Sequence, residues 1–133
     1  MGRLTKLTYL DIESNKFGEV PQCIFQLQQL KTLYMYQNKI KEIPKQIGQL
    51  QQLEYLSIGD NPISAVPVEL FSLHSLQTLW MWSMQLSVLP DEIGQLTNLT
   101  ILSILDNRLE RVPSTIGKLT KLERLWMYNN RFR

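Results

Sequence analysis

Leucines recur along this chain at a fixed interval of twenty-three residues, as Leu7, Leu30, Leu53, Leu76, Leu99 and Leu122, with no insertion or deletion between them. A strict period in this range marks a solenoid, in which each copy is a small unit that cannot bury its apolar side alone. The copy from Leu30 shows the frame: Leu30, Leu33, Met35, Ile40, Ile43, Ile47 and Leu50 form an apolar skeleton, Asn38 stands before Ile40, and Pro44 follows Ile43. We number the copies coils 1 to 6 by their leading leucines. The chain thus reads as a single quasi-linear domain, residues 1–133, of about five full repeats with partial repeats at the ends. Met1 stands where Ile47 stands, inside the second half of a repeat, and neither end carries a polar capping sequence. A fragment of a longer array is therefore expected, with uncapped end coils available for self-association.

Each copy changes period halfway. In Leu33-Tyr34-Met35-Tyr36 the apolar residues are two apart, which is strand periodicity. Ile47, Leu50 and Leu53 are three apart, which suits a short 3₁₀ or α turn. Pro44 fits the entry to such a turn and recurs as Pro21, Pro67, Pro90 and Pro113. Each coil is predicted to be a strand, a turn, a short helical return and a loop.

Asn15, Asn38, Asn61, Asn107 and Asn130 fall at one position just after the strand, where backbone groups lose strand partners. A buried carboxamide there can donate to and accept from the neighbouring coil, which predicts a ladder of asparagines. Met84 replaces the asparagine in coil 4. A local gap is predicted there, and restoring the asparagine is expected to raise the melting temperature.

The run L-x-x-L-x-L-x-x-N-x-L, carried by Leu30, Leu33, Met35, Asn38 and Ile40 and by their copies, resembles the leucine-rich repeat. The twenty-three-residue form with x-x-[IVL]-P-x-x-I-G-x-L, here Ile43-Pro44 and Ile47-Gly48-Gln49-Leu50, is similar to the repeats of intracellular Scribble-type and Ras-scaffold proteins and of many bacterial leucine-rich-repeat proteins. Phe25 and Phe71 stand where that motif has glycine, as in the Phe-bearing repeats of receptor ectodomains. The resemblance covers nearly the whole chain. It implies an α/β solenoid, a right-handed superhelix with a concave parallel β-sheet and short 3₁₀ or helical convex segments. It implies a protein- or peptide-binding module of the signalling-scaffold kind, with no catalytic residues, no cofactor and a cytoplasmic location.

If Leu33 and Met35 point inward, Tyr34 and Tyr36 point out of the sheet. The central outward row reads Asp11, Tyr34, Ser57, Trp80, Ser103, Trp126, and the next reads Glu13, Tyr36, Gly59, Trp82, Leu105, Tyr128. Large aromatics occupy the even coils and mostly small or acidic residues the odd ones. With neighbouring strands about 4.8 Å apart, aromatic ridges are expected about 9.6 Å apart. The troughs between them, at Ser57/Gly59 and Ser103/Leu105, would each take one side chain or flat group. A contiguous exposed aromatic patch marks an interaction site, and Trp and Tyr dominate interface energies. Asp60 and Asp106 follow the troughs, and Tyr55 borders them on the remaining outward row. The expected partner is a protein or peptide, basic, aromatic or both, gaining cation–π and carboxylate contacts. The alternative is a glycan or small planar ligand between the ridges.

Other classes find little support. Cys23 is the only cysteine, so no intrachain disulfide forms. Cys23 and His74 align with polar positions on the returning side, are expected to be surface residues, and lie too far apart for a nucleophilic pair. Phosphate-loop and metal-ligand spacings are missing from the sequence. Asp60 and Asp106, two coils apart on an open surface, make a poor acid/base pair, so no enzymatic activity is expected. No apolar run approaches the roughly 18 residues of a membrane span. Lys16, Lys39, Arg108 and Arg131 form a basic column interrupted by Pro62 and Gln85. With a net charge of only +2 and carboxylates beside the rings, nucleic acid is not the expected partner.

Overall fold

The computed structural model describes residues 5–133, so the reading of Met1 as part of an incomplete first coil lies outside the described residues. Six three-residue strands, β1 (Tyr9–Asp11), β2 (Thr32–Tyr34), β3 (Tyr55–Ser57), β4 (Thr78–Trp80), β5 (Ile101–Ser103) and β6 (Arg124–Trp126), lie side by side in chain order as one parallel sheet. The register advances by one repeat at every step, so Leu10, Leu33, Leu56, Leu79, Leu102 and Leu125 form one line across it. Backbone pairing continues past each strand, for example from Met35 N–H to the Ser57 carbonyl at 2.9 Å and from Gln37 N–H to the Gly59 carbonyl at 3.0 Å.

The chain returns through five 3₁₀ segments, Gln22–Gln26, Lys45–Gln49, Val68–Ser72, Asp91–Gln95 and Ser114–Lys118. Each proline sits at the N-cap, one residue ahead of the first turn. The spacing of three explains the choice of 3₁₀ over α. Ile47 N–H bonds to the Pro44 carbonyl, Leu50 N–H to Ile47 and Leu53 N–H to Leu50, all at 3.0–3.1 Å, which stacks the apolar side chains on one inward stripe. Strand and return together bury Leu33, Met35, Ile40, Ile47 and Leu50 completely. Each contributes about 1.5–3 kcal/mol before entropy is subtracted. Among the described residues no coil packs on the far side of β6, and Leu125 and Met127 are 36% and 41% exposed although their counterparts in coils 2 to 5 are buried.

The asparagine ladder forms as the spacing predicts. Asn38 Nδ2 donates to the Ile12 carbonyl of the preceding coil at 2.9 Å and to its own Met35 carbonyl at 3.0 Å, while its Oδ1 accepts from Phe17 N–H. Asn61 and Asn107 repeat this pattern, with Oδ1 accepting from Ile40 and Leu86 N–H. Met84 leaves the predicted gap, yet the backbone heals it. Ile63 N–H, which would face an asparagine at position 84, bonds to the Asn61 carbonyl at 2.8 Å. The Ile58 and Met81 carbonyls keep Asn61 and Asn107 as donors. Met84 itself is buried. Pro62 adds a second break. The residues at its position in other coils, Lys39, Gln85, Arg108 and Arg131, each donate a backbone N–H to the preceding coil, and proline has none to give.

Candidate functional site

Strand alternation puts Tyr34, Trp80 and Trp126 on the open face of the sheet, and the parallel register sets Tyr34, Ser57, Trp80, Ser103 and Trp126 in one row. Tyr36, Trp82 and Tyr128 follow two residues later in the same coils. Tyr34 and Trp80 have ring centroids 5.9 Å apart at 51°, and Tyr36 and Trp82 6.1 Å apart at 49°. Tyr34 also meets Tyr36 at 6.1 Å and the edge of Tyr9 at 5.8 Å. Five rings thus form one continuous cluster over coils 1 to 4. Tyr9 was not among the residues singled out from the sequence. It belongs to the outward row of Thr32 and Tyr55, where aromatics do not alternate by coil.

The ridge-and-trough arrangement does not form between coils 2 and 4. The rings of coils 2 and 4 do not stand about 9.6 Å apart; they lean together across β3 and close the trough. Ser57 and Gly59 beneath them are buried. A β-carbon built on Gly59 would lie 2.5–2.7 Å from Cε2, Nε1 and Cδ2 of Trp82. Contact with three atoms around the ring-fusion edge shows the indole lying face-down on the glycine. The small residues of coil 3 do not hold the rings apart; their absence of bulk lets the rings collapse and hide apolar surface from water. Ser103 is also buried, and its Oγ has no hydrogen-bond partner. The floors that a flat ligand would occupy, Ser57, Gly59 and Ser103, are therefore not accessible in this arrangement, and a glycan or planar ligand loses the slot foreseen for it. Leu105 and Tyr55 are half-buried beside the rings. Trp126 is half-buried and Tyr128 is 59% exposed, and among the described residues neither is paired with a ring of coil 4.

A second column edges the aromatic face. Ser14, Gln37, Asp60, Ser83, Asp106 and Asn129 each adopt positive φ, between 49° and 56°, where every coil turns away from the sheet. Their side chains bond along the stack. Ser14 Oγ donates to Gln37 Oε1 at 2.7 Å, and Asp106 accepts from Ser83 Oγ at 3.3 Å and from Asn129 Nδ2 at 2.8 Å. Asp60 is exposed, and among the described residues its carboxylate has no such donor. The two aspartates that looked equivalent in sequence are thus distinct. A groove of about 460 Å³ runs beside them, lined by Asn38, Asp60, Pro62, Ser83, Met84 and Arg108 among others. At the coil 1 end, burial and then the Asp11 and Tyr55 neighbours hold the Tyr34 phenol above its ordinary pKa. Desolvation and the adjacent Asp11 raise Glu13 likewise.

Off this face, His74 is exposed as its alignment predicts, whereas Cys23 on the returning side is half-buried rather than a fully exposed surface residue.

The profile of a leucine-rich repeat region matches residues 1–88 and again residues 45–132. The chain belongs to the leucine-rich-repeat family. Among solved structures, a leucine-rich-repeat protein of Leptospira interrogans is 41% identical, with a TM-score of 0.95 over 97% of this chain and 33% of that one. Internalin C2 of Listeria monocytogenes is 27% identical, with a TM-score of 0.85 over 95% of this chain and 54% of that one. A plant peptide hormone receptor, RGFR1, solved in complex with RGF2, is 34% identical, with a TM-score of 0.87 over 97% of this chain and 22% of that one. This leucine-rich-repeat segment spans between about a fifth and just over half the length of these chains. Among curated protein sequences none matches significantly.

Proposed function

We propose that this leucine-rich-repeat chain is a recognition module, without chemistry of its own, that binds a protein or peptide segment across the aromatic face of its sheet. The observation that carries the reading is the cluster of Tyr9, Tyr34, Tyr36, Trp80 and Trp82, five rings linked through four contacts on one face of the sheet, with Tyr9 exposed and the others half-buried. Pre-packed aromatics lose little side-chain entropy on binding, and Trp and Tyr are the residues on which interface energy concentrates. The plant receptor with a similar fold, whose structure is that of a peptide hormone receptor in complex, supports a peptide occupant. The acidic edge of Asp11, Asp60 and Asp106 favours a segment that is basic as well as aromatic.

Selection of displayed peptides against the protein tests this. Basic and aromatic sequences are expected to be enriched. The double variant Trp80→Ala/Trp82→Ala is expected to weaken the selected peptides by roughly thirtyfold or more, the loss of at least one hot spot. Unchanged affinity in that variant places binding elsewhere and ends the reading.

A further inference from the structure

The closed ring pair over coil 3 and the free carboxylate beside it make a more specific site than the face as a whole. Trp82 lies with one face of its indole against Gly59, meets the Tyr36 ring at 6.1 Å and 49°, and stays half-buried, so part of the ring remains open to solvent. Asp60 is the residue after Gly59, and its backbone N–H is tied to the Trp82 carbonyl at 2.8 Å. The tie holds the Asp60 main chain beside that of Trp82, in the coil next to the indole's own. Its carboxylate is exposed, while Asp106, one repeat pair further on, is occupied by Ser83 and Asn129. The groove of about 460 Å³ opens next to Asp60 and continues past Met84 and Pro62, with Asp106 and Arg108 also on its lining. A planar cation laid on the open part of the indole would satisfy the ring quadrupole and the carboxylate together.

We infer that Trp82 and Asp60 form the seat for one arginine side chain of the partner. The inference rests on the recognition reading above and adds to it the residue type and the subsite. Guanidinium fits better than ammonium because it stacks flat and still presents edge N–H groups to a carboxylate. Asp106 serves less well, because each of its oxygens already accepts a protein donor and its main chain pairs with Tyr128 rather than with a tryptophan.

The indole Nε1–H resonances of the three tryptophans report on the site directly. Titration with N-acetylargininamide is expected to move the Trp82 resonance, while the neutral isostere N-acetylcitrullinamide leaves it in place. Asp60→Asn is expected to weaken the response about fivefold, and Asp106→Asn to leave it unchanged. Asparagine tolerates positive φ as well as aspartate does, so Asp60→Asn keeps the turn. An equal response to citrullinamide, no response to argininamide, or an unchanged response in Asp60→Asn overturns the seat. The recognition face fails separately, by unchanged peptide affinity in Trp80→Ala/Trp82→Ala. Selected peptides that lose affinity in that variant but show no need of arginine would leave the face standing and remove the seat.

Discussion

Gly59→Ala is the sharpest probe of how the aromatic face is built. The backbone at Gly59 lies outside the positive-φ region, so alanine is sterically permitted there. Taken alone, replacing this glycine lowers the entropy of the unfolded chain and stabilises by about 0.4–1 kcal/mol. The new methyl, however, would sit 2.5 Å from the Trp82 indole, about 1 Å inside ordinary contact. Trp82 must lift, and it carries its contact with Tyr36 along. Overpacking of this kind costs about 1–3 kcal/mol. Gly59→Ala is therefore expected to destabilise by up to roughly 2.6 kcal/mol, or up to about 9 °C in melting temperature for a chain of this size. In a Trp82→Ala background the same change meets no ring and is expected to be neutral or stabilising. Urea unfolding followed by far-ultraviolet circular dichroism on all four proteins closes the cycle. The sign reversal is the critical result. An identical effect of Gly59→Ala in both backgrounds would mean that the indole does not rest on the glycine, and the closed trough over β3 would be wrong.

Three other changes test the ladder and the electrostatics. Asn107→Ala is expected to cost about 2–4 kcal/mol, because it strands the buried Leu86 N–H and removes a donor from the Met81 and Ile104 carbonyls. Met84→Asn is expected to shift stability by less than about 1 kcal/mol, since the gained hydrogen bonds are offset by the lost methionine burial; thermal unfolding of both variants checks the contrast, and a clear rise for Met84→Asn would show that the gap is open after all. Tyr34 has a phenol pKa raised in the folded state, by burial first and then by Asp11 and Tyr55, so its neutral form is the one the fold favours. That contribution is complete below the unfolded value of about pH 10 and is lost as pH rises through the folded value. Melting temperature is accordingly expected to fall above about pH 10, and less steeply in Tyr34→Phe; equal slopes in the two proteins would remove Tyr34 as the cause.

Much of this molecule is legible as a one-dimensional pattern. The leucine period, the alternation of Leu33-Tyr34-Met35, the spacing of Ile47, Leu50 and Leu53 and the asparagine after each strand specify coil, sheet, 3₁₀ return and ladder. The sheet and the ladder rest on contacts that recur at fixed offsets between neighbouring coils, and the 3₁₀ return on contacts three residues apart within a coil, so identical spacing guarantees that the partners meet. The outward rows were legible for the same reason. What the string of residues does not encode is the direction in which a ring falls once its neighbour is small. Nor does it show that Ile63 turns to Asn61 where Met84 offers no acceptor.

Composition and spacing placed six aromatics on one face and two aspartates at its edge, because a period of two within each strand and a strict repeat between strands leave no other arrangement. Only the assembled stack decided that Trp82 lies down on Gly59, that Tyr9 joins the cluster, and that Asp106 is satisfied by Ser83 and Asn129 while Asp60 stays free. Those outcomes turn on rotamers and on side chains contributed by adjacent coils. Residue order sets which groups can be neighbours; the packed structure sets which of them touch.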